Sequence, residues 1–144
     1  MSNDITIIFV PVFSTLCNAA FSLRKAVFVH EQGVPETEEI DIDDFTASHL
    51  IAISAGEVVG TLRLIMKDEH VKIGRVAVKA TMRGRGIAKK LMLHAMTSAR
   101  ADGHDRFYLT AQVDKIDFYT KLGFTAFGDE FIDGGMPHLA MRNY

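Results

Sequence analysis

The segment Arg83-Gly84-Arg85-Gly86-Ile87-Ala88 constrains this chain more than any other. It follows the apolar run Val76-Ala77-Val78 and leads into a stretch whose apolar residues Ile87, Leu91 and Ala95 recur at helical spacing. The order is strand, glycine-rich turn, helix. Such a turn leaves the first backbone N–H groups of the helix without intrahelical partners, at the positive end of the helix dipole. Glycine at 84 and 86 lets an anion reach the main chain without meeting a Cβ. The segment is expected to cradle a phosphate or pyrophosphate. A plain strand-to-helix turn is the competing reading of the same residues.

Two phosphate cradles are excluded by their spacing. A P-loop requires G-x-x-x-x-G-K-[ST], and no glycine here precedes the required Lys-Ser/Thr pair. A dinucleotide fingerprint requires G-x-G-x-x-G, and Gly84-Arg85-Gly86 is followed at the third glycine position by Lys89. The pattern that fits is [QR]-x-x-G-x-[GA], with Arg83, Gly86 and Ala88 at its defining positions. It resembles the acyl-coenzyme A pyrophosphate loop of the GNAT acetyltransferases. Downstream, Asp117-Phe118-Tyr119-Thr120-Lys121-Leu122-Gly123-Phe124 is similar to the second signature of that family. Further segments resemble the YjcF/ElaA-like branch of bacterial members: residues 26–35 (Ala-Val-Phe-Val-His-Glu-Gln-Gly-Val-Pro), Glu39-Ile40-Asp41, His49, Ala111-Gln112 and residues 133–138 (Asp-Gly-Gly-Met-Pro-His). The likeness runs from about residue 20 to the end. It implies an N-acetyltransferase with acetyl-coenzyme A as co-substrate, and it fixes the donor rather than the acceptor.

Bulk properties exclude several other classes. A chain of 144 residues, 48% hydrophobic and 24% charged, is expected to form one domain over 1–144 with a single core. Its apolar runs fall short of the ~20 residues a membrane span needs, and Met1-Ser2-Asn3-Asp4 lacks the basic start of a signal peptide. One cysteine, Cys17, allows no intrachain disulfide, and no Cys/His spacing suggests a metal. A cytoplasmic protein without metal or membrane partner is expected, as monomer or homodimer. Net charge is −2 but unevenly distributed. Lys72, Arg75, Lys79, Arg83, Arg85, Lys89 and Lys90 form a basic stripe without an intervening acid or a stacking aromatic residue, which favours coenzyme phosphates over nucleic acid. Between Ala26 and Leu62 there is no lysine or arginine, and Glu31, Glu36, Glu38, Glu39, Asp41, Asp43 and Asp44 are expected to give an acidic loop. If that loop borders the acceptor cleft, its field would concentrate cationic amines. A solvated loop is the alternative.

The apolar pattern predicts alternating strands and helices in an α/β (α+β) fold: a mostly antiparallel mixed sheet of six to seven strands flanked by helices. Strands are expected at 5–12, 49–54, 57–66, 71–78, 106–112, 124–127 and 136–142. A first helix capped by Ser14 is expected to bury Leu16, Ala19/Ala20, Leu23 and Val27, and to end before Gly33 and Pro35. A central helix spans about 86–102 and stops at Gly103; a short one spans 115–122, with Asp114 as a possible cap.

The chemistry implied by the resemblance has three parts. Backbone amides across Arg83–Ala88 would hold the pyrophosphate, aided by the Arg83 and Arg85 side chains, and the strand edge at Val76-Ala77-Val78 would pair with the pantetheine amides. Gln112 stands where many members carry asparagine and would orient the short helix or the pantetheine arm. Tyr119 would protonate the leaving thiolate, since a phenol with a pKa near ~10 stays protonated at neutral pH; a core tyrosine is the alternative. The acceptor amine must lose a proton. Many members carry a glutamate on the strand before the loop, where this chain has Ile73-Gly74-Arg75. Glu31, His49, Asp41 and His138 are the remaining candidates, with Glu31 and His49 taken first, and each has an anchoring hydrogen bond as its alternative role. Cys17 has no activating neighbour in sequence, so direct attack by the amine in a ternary complex is expected, with a backbone N–H near Val78 polarising the carbonyl. A coenzyme A-binding sensor or interaction module without turnover is the reading from a different class.

Overall fold

The computed structural model describes residues 4–144; the expectation for the N-terminal leader lies mostly outside them. Seven strands form one sheet in the order β1-β2-β3-β4-β5-β7-β6. They are β1 (Thr6–Val10), β2 (Ser48–Ser54), β3 (Glu57–Met66), β4 (Val71–Val78), β5 (Phe107–Gln112), β6 (Thr125–Asp133) and β7 (Met136–Arg142). Every neighbouring pair is antiparallel except β4 and β5. The helices are α1 (Thr15–Arg24), α2 (Glu36–Glu39), α3 (Ile87–Ala101) and α4 (Ile116–Thr120). No helix among the described residues is long and apolar enough to cross a membrane.

The sheet separates two cores. On one face α3 buries Ile87, Leu91, Met92, Ala95, Met96 and Ala99 against Leu62, Ile73, Phe107, Leu109 and Ala111. On the other face α1 and its continuation bury Cys17, Ala20, Leu23 and Val27 against Ile51, Val58 and Ala77. The buried stripe of α1 holds Ala20, Leu23 and Val27 as expected, but Leu16 is exposed and Cys17 takes its place. The buried Arg24 on the same face is one that apolar periodicity does not register. Ser14 caps α1 as expected, its Oγ accepting from the Cys17 N–H. Lys25–Glu31 then continues as a π-helix, with the Gln32 N–H donating to the Val27 carbonyl.

Two further expectations need correction. Asp114 does not cap α4; a 3₁₀ turn over Val113–Lys115 leads into that helix without a side-chain cap. β6 runs to Asp133 instead of ending at 127, with an irregularity between Phe127 and Phe131. It is an edge strand with mostly exposed side chains, so no buried face printed an alternating pattern in its sequence. The segment between Pro35 and Thr46 also holds a short helix and a 3₁₀ turn (Ile42–Phe45) that its polar composition concealed.

Candidate active site

β4 and β5 pair in parallel only at Val71↔Phe107 and Lys72↔Tyr108. Beyond that point the two strands have no ladder between them, although each remains paired on its other side, to β3 and β7. The sheet therefore opens as a wedge towards Val78 and Gln112. The wedge starts where β4 bulges: Thr61 pairs with Ala77 but Arg63 with Gly74, so Leu62 faces two residues. Arg75 sits there at φ 52°. The extra residue reverses the facing of β4. Val71 and Ile73 lie in the α3 core, whereas Ala77 lies in the α1 core. The Lys79 N–H donates to the Val59 carbonyl, so by strand alternation the N–H and C=O of Val78 point away from β3 into the wedge.

The glycine-rich turn lies at the mouth of the wedge. Gly84 and Gly86 both have φ 77°, a conformation that costs glycine nothing and other residues roughly 1–2 kcal/mol. A Cβ built on either would meet no atom within 4 Å, so the space over the loop is open. Gly86 is the N-cap of α3 and offers no side-chain acceptor, and the helix has no acidic residue in its first turn. The first amides of α3 are thus left for an anion. Arg85, Lys89 and Lys90 beside it form no ion pair among the described residues.

Arg83 is differently engaged. Its Nε donates to the Val78 carbonyl at 3.1 Å, while Nη1 and Nη2 donate to the two carboxylate oxygens of Glu31, each at 2.8 Å. Arg83 thereby ties the turn to the strand end and to the π-helix. Across the wedge, the Gln112 Nε2 donates to the Gln32 Oε1 at 2.9 Å, so the end of the first helix spans both arms of the opening.

Tyr119 comes from α4, which closes in a left-handed turn at Gly123: the Phe124 N–H donates to the Tyr119 carbonyl and the Gly123 N–H to that of Thr120. Its ring packs edge-on to Phe118 (centroids 4.9 Å apart) and Phe124 (6.3 Å). Among the described residues none accepts a hydrogen bond from its hydroxyl. Burial pushes the phenol up to about 12, so it holds its proton throughout the neutral range.

The acidic loop is the main correction to the sequence reading. Arg24 is buried and donates to both oxygens of Glu39 (3.2 and 2.9 Å) and both oxygens of Asp44 (2.7 and 3.0 Å). Arg63 forks onto Asp41 (2.6 and 2.9 Å) and reaches Asp44 at 2.8 Å. Arg75 bonds Glu39 at 3.1 Å and Asp41 at 3.3 Å. Glu36 pairs with Lys25, and Glu31 with Arg83. Five of the seven carboxylates are paired, so the uncompensated negative field expected of this loop is absent. Burial raises the Asp44 carboxyl, but the Arg24 bonds, the Asp41 amide and Arg63 outweigh it and hold the group well below the usual carboxylate range.

The proton-acceptor candidates separate accordingly. Both oxygens of Asp41 serve Arg63, and both of Glu31 serve Arg83. His49 is buried against the edge of Phe21, and its Nε2 lies 2.8 Å from the Asp44 carbonyl. A carbonyl only accepts, so that nitrogen carries the proton and anchors the loop. His138 keeps one ring nitrogen unengaged: Nδ1 meets the Met136 carbonyl at 2.8 Å, and Nε2 has no bond among the described residues. Cys17 is fully buried, and burial raises its thiol. No group of three or more metal-ligating side chains occurs among the described residues.

Comparison with known proteins accords with this geometry. The family model of the acetyltransferase (GNAT) domain matches residues 14–144. YjcF, an N-acetyltransferase of Bacillus subtilis, is 38% identical over 124 residues, covering 85% of this chain and 88% of its own. ElaA of Escherichia coli is 34% identical over 129 residues, 85% of this chain and 84% of that protein. The crystal structure of Escherichia coli ElaA superposes with a TM-score of 0.88 at 30% identity, covering 98% of this chain and 100% of that one. An acyl-CoA N-acyltransferase from Pseudomonas aeruginosa superposes at 0.86 with 32% identity, over 98% and 99% of the two chains. With nearly its whole length matched, the chain belongs to the GNAT acetyltransferase family.

Proposed function

We propose that this protein transfers an acetyl group from acetyl-coenzyme A to a primary amine, by direct attack in a ternary complex. The observation that carries the reading is the wedge itself: an unpaired β4 edge ends at a helix whose first amides are free. The pyrophosphate would rest on the backbone of residues 83–88, with Arg85 adding charge, and the pantetheine amides would continue the ladder along Val76, Ala77 and Val78. The Val78 N–H points into the wedge and would donate to the thioester oxygen as charge develops on it. Tyr119 retains its proton and would deliver it to the departing sulfur. Gln112, held by Gln32, would position the acceptor side of the opening.

Because the loop carboxylates are paired, the charge argument for a cationic acceptor loses its support, and the acceptor class is left to experiment. Acetyl transfer should be measured with acetyl-coenzyme A and spermidine, phenylethylamine and glucosamine 6-phosphate, which apart from the reacting amine carry positive, no and negative charge. Release of free thiol with formation of an N-acetyl product supports the reading. Coenzyme binding without turnover of any amine would favour the sensor reading.

A further inference from the structure

We propose that His138 is the catalytic base that takes the proton from the acceptor amine. The inference rests on the acetyl-transfer reading above and identifies a residue within that same site. Glu31 and Asp41 are committed to guanidinium partners. Each histidine gives one ring nitrogen to a carbonyl and keeps the other unengaged, but His49 lies on β2, two strands from the β4 edge, whereas three features of the fold place His138 near the acceptor side of the wedge.

The first is register. β5 and β7 pair residue for residue from Tyr108↔Arg142 to Gln112↔His138, and directly opposed residues share a face. Leu109, Ala111 and Met141 belong to the α3 core, so Gln112 and His138 face the other way, towards the first helix. The Gln112–Gln32 bond confirms that direction. The second is position along the strand. His138 sits opposite Gln112, the last residue of β5, one strand back from the β5 edge that faces the wedge. Tyr119 packs with the α3 core on the opposite face. The proposed acid and base thus flank the opening from its two sides, so that the proton leaving the amine and the proton reaching the sulfur use separate groups.

The third is tautomer. The Met136 carbonyl can only accept, so Nδ1 carries a hydrogen and the Nε2 lone pair is free. The ring is stacked on Phe131 (centroids 5.8 Å, 26°) and Nδ1 is tied to the Met136 carbonyl, so its orientation is fixed. The charged groups nearest to it along the strands are Asp129, Glu130 and Asp133 on β6 and Arg142 on β7. β5 presents only neutral Gln112 and Thr110. The first helix presents Gln32 and the Arg83-bound Glu31, with His30 before them.

The proton balance is complete. The ammonium first gives one proton to water, and the free amine nitrogen bonds to the thioester carbon. Nε2 of His138 removes a second proton from that nitrogen as the C–S bond breaks. The sulfur takes a proton from Tyr119, which is replenished from water. Amide and free thiol form, and His138 returns its proton to solvent, for a net release of one.

Two variants test the proposal. His138→Asn keeps an N–H donor for the Met136 carbonyl and removes Nε2; His138→Gln places a non-basic amide near the Nε2 position. With the amine probe that the wild type acetylates fastest, both should lose about 10²-fold or more in kcat/KM. Coenzyme A affinity and thermal stability should stay near wild type. The loss should fall on kcat with KM little changed, both profiles should keep the limb set by the amine's own deprotonation, and the deficit should shrink at high pH as hydroxide replaces the missing base. Undiminished kcat/KM in both variants, or a loss that is independent of pH and confined to KM, overturns the role of His138 while leaving acetyl transfer intact. A wild type that acetylates no probe removes the acetyl-transfer reading and this inference with it.

Discussion

Gly86→Val separates the two demands on the phosphate turn. In the folded chain Gly86 stands at φ 77°, ψ 15°, and a Cβ there would touch nothing within 4 Å. The folding cost is therefore conformational, about 1–2 kcal/mol, with no added clash. For a chain of this length that corresponds to a fall in Tm of roughly 4–8 °C. Binding suffers separately, because the same open space is where the pyrophosphate must meet the first amides of α3. Losing two charge-assisted hydrogen bonds at about 1.5–3 kcal/mol each weakens coenzyme A by about 3–6 kcal/mol, or 10²- to 10⁴-fold in Kd. Gly56 in the β2–β3 turn has the same φ of 77° and equally open surroundings. Gly56→Val should reproduce the loss of Tm without the loss of affinity. Calorimetric titration of coenzyme A into both variants, alongside thermal melts, measures the two quantities. A Gly86→Val protein with wild-type Kd would refute the location of the phosphate site; equal binding losses in both variants would show that backbone strain, not the cradle, is responsible.

Tyr119→Phe should keep coenzyme A affinity while turnover falls about 10²-fold, and parallel loss of affinity in titration would make Tyr119 a packing residue. Since burial raises the phenol to about 12, the unfolded chain releases this proton first; wild-type stability should decline between about pH 10 and 12 relative to the phenylalanine variant, as urea melts would read. Asp44→Asn leaves Arg24 and Arg63 short of a buried partner and should cost about 3–5 kcal/mol in urea unfolding. The depressed Asp44 carboxyl supplies stability above its unfolded pKa of about 4, and that contribution should fade as pH falls below it. Gly60→Ala would put a Cβ 2.9 Å from Ile87 and 3.0 Å from Leu91; a loss of about 1–3 kcal/mol with weakened coenzyme binding is expected because Ile87 opens α3, and unchanged melts would show that the helix yields freely.

The proposed donor side is written in contiguous residues. A left-handed glycine pair and an uncapped helix start need only their own neighbours, so the strand-turn-helix at Arg83–Ala88 was readable without a fold. The element order was readable for the same reason wherever a buried face printed its period, as in β3, β4 and α3. It failed at the far end of β6, which has no buried face, and it missed the buried Arg24 on the core face of α1. The acceptor side depends on residues brought together from afar. The acidic loop reads as an unbalanced charge until Arg24, Arg63 and Arg75 meet it, from another helix and from β3 and β4. Four candidate bases looked alike in sequence. The fold distinguishes them: guanidinium partners hold Asp41 and Glu31, the Asp44 carbonyl anchors His49 in the core, and strand pairing sets His138 opposite Gln112. Local dihedral preferences travel with the sequence; charge compensation, strand register and the β4 bulge that opens the wedge exist only after distant segments have packed.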